Sequence, residues 1–230
     1  MPDLIKTYTV KVKSNQEMVY RTLRDEILRM DLKPGTAITT QEMAERFGVS
    51  STPVREAFIR LQNESLLTIS PQKATRVSYI NLDRTHQERF IREALEVDNL
   101  SLFIAKADEE NVSYMADSVV QQRKAMAEKR YHDFIEIDND FHQYPFQITG
   151  QKLGLRIIRQ MNGHYERIRL LTAWDEIIAL NAIEEHVMLV ETMRDKNVAE
   201  TSKLLRRHLQ VLSEEENRLR DRWPDFFDHD

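Results

Sequence analysis

Val49 to Leu61, read as Val-Ser-Ser-Thr-Pro-Val-Arg-Glu-Ala-Phe-Ile-Arg-Leu, constrains this chain more than any other stretch. Thr52 reads as a hydroxyl N-cap, and Pro53 at the first helical position gives up no hydrogen bond, because that N–H has no intrahelical partner. Val54, Ala57, Phe58 and Leu61 recur at helical spacing and make one apolar face. Ser50, Ser51, Thr52, Pro53, Arg55 and Glu56 are left at the open N-terminal end. A helix N-terminus favours phosphate, and a first-turn arginine is placed for a bidentate guanine contact. A surface helix with one ordinary arginine has the same local pattern, so the preceding residues decide. Thr39 with Glu42 has capping-box spacing, Met43, Ala44 and Phe47 supply an apolar side, and Gly48 stands where a helix C-terminus takes a left-handed residue. Helix, tight turn and second helix make a helix-turn-helix, with Gln41 on the bracing helix also facing DNA.

A chain of 230 residues accommodates two modest domains. Its balance of 41% apolar to 31% charged residues, with 5 glycines, suits a largely helical protein. No secretory or membrane-spanning segment is evident, and a cytoplasmic location is expected. The absence of cysteine excludes disulfides, thiolate metal sites and cysteine nucleophiles, so any metal would rest on His and carboxylate. The net charge of −5 is unevenly spread: residues 1–80 carry 12 Lys and Arg against 9 Asp and Glu, the remainder 21 against 29. The mildly basic part therefore coincides with the helix-turn-helix.

Val19, Leu23, Ile27 and Met30 predict a first helix from Gln16 to Met30, stopped by Pro34-Gly35. Leu66 to Ser70 and Thr75 to Ile80 read as strands around Pro71-Gln72-Lys73, which makes a wing with Lys73 and Arg76 as candidates for DNA contact or as solvated charges. The run from Gly48 to Ala57 resembles the signature of the GntR family of bacterial transcription regulators, over roughly residues 16–80. Three positions depart from it: Ser51 where the family usually has Arg, Ser65 where it has glycine, and Gln72-Lys73 where a wing-tip glycine is common. These departures leave the operator sequence open.

After a connection at residues 81–84, amphipathic stretches at 85–106, 109–128, 131–148, 151–173, 176–195 and 197–221 predict six helices, with a kink at Pro145. Asp138 and His142 lie one helical turn apart. His186 and His208 come to about one level if Lys196-Asn197 closes an antiparallel hairpin. An Asp with three neutral His would hold zinc, nickel, iron or manganese. Histidines standing on helices by chance are the bland alternative, and His86, His132, His164 and His229 receive only that reading. The aromatic tail, Trp223, Phe226 and Phe227, packs on the bundle or on a partner subunit.

Residues 85–222 resemble the FCD ligand-binding domain of one GntR subfamily. The motifs are Arg92-Glu93-Ala94-Leu95-Glu96, Asp138 to Phe141-His142, Glu185-His186 and Arg207-His208-Leu209, while the family's Asn-Pro is replaced by Gly150-Gln151-Lys152. The resemblance implies that Asp138, His142, His186 and His208 bind a divalent metal, zinc foremost, and that Arg92 pairs with the acid group of a small carboxylate or sugar-acid effector. Arg92 as the ion-pair partner of Glu96 is the structural alternative.

The expectation is thus a mainly α chain: a winged helix-turn-helix over residues 1–80, a linker, and a six-helix antiparallel bundle over 85–230. It would act as a homodimeric repressor on a pseudo-palindromic double-stranded DNA operator, released by effector, with no membrane and no catalytic residues. The alternatives are a regulator whose signal is the metal itself and a metalloenzyme built on the same three histidines and one aspartate.

Overall fold

The structure, a computed structural model, describes residues 14–69 and 74–228, with only the backbone of 211–214. Lys73, the rest of the wing tip, residues 1–13 and His229 lie outside the described residues.

Helix α1 (Asn15–Leu28) starts at Ser14, whose side chain accepts from the Glu17 N–H, and buries Val19, Tyr20, Leu23 and Ile27. Strand β1 (Ala37–Ile38) precedes α2 (Thr40–Phe47), which carries the expected Thr39/Glu42 capping box and ends at Gly48 with φ of 64°. Helix α3 (Ser51–Asn63) buries Val54, Ala57, Phe58 and Leu61. Its N-cap is Ser50, with no side-chain capping bond, which corrects the assignment of Thr52. Pro53 therefore sits in the third helical position and not the first, still within the turn whose N–H groups lack partners. Strands β2 (Leu67–Thr68) and β3 (Thr75–Val77) pair antiparallel, and β1 adds to β3 in the order β1-β3-β2. Two-residue β1 is too short to display alternation, so nothing in the sequence marks it. Ser65 has φ of 59°, the left-handed conformation that favours glycine.

The remainder is α4 (Leu82–Lys106), α5 (Glu109–Ala127), α6 (Tyr131–Thr149), α7 (Lys152–Gln160), α8 (Gly163–Ala173), α9 (Glu176–Arg194) and α10 (Val198–Arg222), closed by a 3-10 turn at Pro224–Phe226. Helix α6 continues through Pro145 to Gly150, and the helix expected over 151–173 is in fact two. The break falls at Met161 and Asn162. At Gly163, the first residue of α8, a Cβ would lie 2.7 Å from Leu66 Cδ2, so only glycine lets α8 start this close to the winged helix. Phe227 is buried, and Phe226 accepts from the Ile80 N–H at 2.8 Å, so the tail packs on its own subunit. No helix among the described residues is long and apolar enough to cross a membrane.

Helix α8 is buried along nearly its whole length, against α4, α6, α9 and α10, with α1 at its start. His164 Nε2 donates to the Ser65 carbonyl at 3.0 Å, while its Nδ1 accepts from the Asn81 N–H and from Arg167 Nη2, both at 3.1 Å. Arg167 Nη1 donates to the Ser78 carbonyl at 2.5 Å. His164 is thus a packing residue, buried and bonded between the segment after α3 and the start of the bundle. Burial, with Arg167 beside it, pushes the imidazole down to about 3.

A base whose folded pKa is depressed gives its full stabilisation above its unfolded value near 6.5 and loses it as pH falls toward the folded value. Relative to His164→Gln, the wild type should lose up to about 1.4 kcal/mol per pH unit below that point. Urea midpoints of both proteins between neutral and moderately acidic pH measure this. A difference that stays constant over the range contradicts a neutral, docked His164.

Candidate functional site

Six helices of the bundle converge on one polar cluster inside an otherwise apolar core. Arg92 and Glu96 stand one turn apart on α4, and Arg92 Nε donates to Glu96 Oε1 at 2.5 Å. Glu96 Oε2 accepts from His142 Nδ1 of α6 at 2.7 Å. His186 of α9 donates through Nδ1 to Gln122 Oε1 of α5 at 2.8 Å, and stacks on Phe141. His208 of α10 donates through Nδ1 to Glu185 Oε2, also at 2.8 Å. A carboxylate or amide oxygen only accepts, so each Nδ1 carries the hydrogen and each Nε2 keeps its lone pair.

Those lone pairs meet. One ligating atom from each of His142, His186 and His208 lies within 4.8 Å of the others, and the Nε2 atoms of His186 and His208 are 3.1 Å apart. Burial holds all three imidazoles below their usual range and hence neutral, His186 well below, with His208 and His142 beside it adding to the effect. Asp138, one turn before His142, brings Oδ1 to 3.6 Å from His186 Nε2 and Oδ2 to 4.0 Å from His142 Nε2. It stands at the edge of the cluster and pairs with Arg169 of α8. The donor set fits a divalent cation: three neutral Nε2 acceptors aimed at one another, each oriented by a bond on its far nitrogen, with a carboxylate at the margin.

Arg92 makes the ion pair with Glu96 that the structural alternative expected. Its Nη1 is nonetheless buried without a partner. Burial alone would raise Glu96, but Arg92 and His142 reverse this and hold it down to about 2. A small cavity of about 40 Å³ lies against Arg92, Asp138, His142, Arg169 and His208. A larger one, about 750 Å³, runs from Arg92 and His142 to α1.

In the winged helix, Gln41, Ser50, Thr52, Arg55 and Arg76 are exposed, and Ser51 and Pro53 are half-buried. Arg76 Nη1 is spent on the Gly35 carbonyl at 2.8 Å, while Arg55 makes no ion pair with any described residue. Arg60, five residues further along α3, is instead tied to Glu17. Arg55 is therefore free to meet a ligand.

Sequence reasoning missed Arg169, Gln122 and Glu185 as the residues that orient the cluster. Arg169 had a signal. Arg167 and Arg169 flank Ile168 and precede Leu170-Leu171, and in a helix buried along nearly its whole length an arginine needs a partner. Gln122 carries no comparable mark.

Comparison with known proteins agrees with this architecture. The model of the family described as "FCD domain" matches residues 89–211, and that of "Bacterial regulatory proteins, gntR family" matches residues 15–77. The HTH-type transcriptional repressor RspR of Escherichia coli K12 is 29% identical over 212 residues, covering 92% of each chain. Among solved structures, E. coli McbR/YncC aligns with a TM-score of 0.75 at 19% identity, over 91% of this chain and 99% of that one. A transcriptional regulator GntR from Rhodococcus sp. RHA1, described as putative, aligns at 0.74 and 17%, over 90% and 97%. These matches are to transcription regulators, not enzymes, and the two structural likenesses establish the fold alone.

Removing one member of a buried ion pair strands the other. In metal-free protein held in chelator, Arg169→Met should cost about 3–5 kcal/mol, and adding Asp138→Asn should recover much of that. Urea unfolding of single and double variants decides it. Equal losses in both would mean that Asp138 does not depend on Arg169.

Proposed function

The chain belongs to the GntR family of bacterial regulatory proteins, in the branch that carries an FCD domain, and is a DNA-binding transcription regulator; from that premise we propose that it is a cytoplasmic homodimeric repressor whose operator affinity is set by a small carboxylate or sugar acid. Asp138, His142, His186 and His208 would hold a divalent metal, zinc foremost. When bound, the ion would supply a Lewis-acidic platform for the effector's acid group. The observation that carries this reading is the meeting of three neutral Nε2 atoms beside an unpartnered Arg92 Nη1. Buried nitrogens facing one another across 3.1 Å favour a cation between them.

Residues 1–80 would read DNA, with Arg55 reaching a base edge, the hydroxyls of Ser50, Ser51 and Thr52 holding phosphate or bases, and Gln41 and Arg76 at the flanks. Subunits would pair through α5 and α9. Their outer faces expose Val120 and Ile177, each 62%, and Leu180, 41%, beside an Arg123–Glu184 ion pair at 2.8 Å. A dimer of this kind sets the spacing of two recognition helices, which must reach half-sites roughly 34 Å apart.

The chain's own residues offer a route from effector to DNA. Arg169 bonds Asp138 through Nη2 and Glu166 through Nη1, and six residues earlier on α8 Gly163 and His164 bear on the winged helix. An acid that competes for Arg92 or disturbs the Asp138–Arg169 pair would bias the seat of α8, and with it the winged helix. An effector that distinguishes the two arrangements by about 1–3 kcal/mol would change operator affinity roughly 5- to 150-fold.

Operator titrations test this. Arg55→Ala should lose specific affinity while retaining its fold. An effector acid should lower wild-type affinity, and the response should vanish in chelator and in His186→Ala. Specific binding that survives Arg55→Ala would displace the assigned reading helix. Operator release by chelator alone, with no acid required, would make the ion itself the signal.

A further inference from the structure

Helix α8 starts without help from its own N-cap residue. An asparagine at that position ordinarily turns its side-chain oxygen back onto the second or third N–H of the helix. Here Glu88 of α4 does so in its place, its Oε2 accepting from the His164 N–H at 2.8 Å and the Tyr165 N–H at 2.9 Å. Asn162 is released from capping. Its Nδ2 donates to Glu166 Oε1 at 2.6 Å, and its Oδ1 is buried with no partner on a residue only 4% exposed.

Arg92 Nη1, on a residue 3% exposed, is the complementary case, a buried donor without an acceptor. Unpaired buried polar atoms are costly enough that each calls for an explanation. The two residues that carry them, Arg92 and Asn162, line the same cavity of about 750 Å³, a size typical of small-molecule sites. Asn162 is further connected to the histidine cluster by a continuous chain of bonds, from Asn162 to Glu166, Glu166 to Arg169, and Arg169 to Asp138.

The far wall of the cavity is not part of the bundle. Tyr20, Arg24 and Leu28 of α1 and Arg60 of α3 form it. Its arginines are already engaged, Arg24 with Glu64 and Arg60 with Glu17, each at 2.7 Å. Arg159 of α7 also lines the cavity, bonded to the neutral Gln143 amide, but at Asn162 itself Glu166 stands adjacent. A second acid group would be repelled beside Glu166, and a hydrogen-bond donor would be welcomed by Asn162 Oδ1.

We propose that the cavity takes an acid with a polar head at its other end: a carboxylate on Arg92, and a hydroxyl or ammonium donor on Asn162 Oδ1, with the body of the ligand against α1. This rests on the reading of Arg92 as the acid-binding residue and goes beyond it in naming the distal group and its wall. The ligand then touches the DNA-reading half of its own subunit directly.

Calorimetry with hexanoate, its ω-hydroxy and ω-amino derivatives, and adipate tests the proposal on the full chain and on Asn162→Leu, Asn162→Asp and Arg92→Ala. The wild type should bind the hydroxy and amino acids about 10-fold or more tightly than hexanoate or adipate. Asn162→Leu should level that preference, Asn162→Asp should keep it for the amino acid, and Arg92→Ala should weaken all four acids alike. Melting scans on each variant verify the fold. If binding depends on Arg92 but the wild type does not distinguish the four, or Asn162→Leu weakens all equally, the distal-donor site is overturned and the acid-binding reading stands. If no acid binding depends on Arg92, that reading falls, and this proposal with it.

Discussion

Charge buried inside a helical bundle has to be paired where it stands, and in this protein helix α8 does most of the pairing. Its Arg169 is bonded to Asp138 and Glu166, its Arg167 to the Ser78 carbonyl, and its first N–H groups to Glu88 of α4. One rigid helix of eleven residues thereby has one end in the histidine cluster and the other in the winged helix. Gly163 permits the close approach to Leu66, and His164 fixes it. Because both contacts are made by the same short element, neither half of the molecule shifts far without being felt by the other.

The cluster itself divides its ionisation sharply. Glu96, between Arg92 and His142, is held as a carboxylate down to about 2, whereas the three imidazoles are kept neutral by burial. That division leaves lone pairs on the nitrogens and negative charge one shell out. It is the pattern a bound divalent ion calls for, and a poor one for binding an anion without the ion. Asp138 has two suitors in this arrangement, Arg169 and the centre of the cluster. A change of partner there is the smallest event that would move α8.

Much of this was legible in the sequence, for identifiable reasons. The capping box at Thr39 and Glu42, the left-handed Gly48 and the apolar stripe of α3 are local signals, and local signals survive into the fold. The one-turn spacing of Asp138 and His142 is likewise local, and the hairpin of α9 and α10 carried His186 opposite His208. What failed was decided by tertiary contact. The helix expected over 151–173 is two, with α8 capped by Glu88, far away in sequence, and Thr52 was displaced as N-cap by Ser50, which extends the helix by two residues that propensity did not demand. The bonds of His164 were not legible because its partners, Ser65 and Asn81, belong to the other half of the chain and to the connection. The left-handed φ at Ser65 accounts for the glycine usual at that position in the family pattern, and this chain's serine bears the cost of it.

Equilibrium dialysis of the metal-free protein against zinc addresses the central claim most directly, because the histidine cluster either holds an ion or is a packing arrangement. The account predicts one zinc per chain, lost in His208→Ala and Asp138→Ala and retained in His86→Ala, whose imidazole pairs with Glu216 away from the cluster. No zinc bound, or a stoichiometry indifferent to His208 and Asp138, would contradict it.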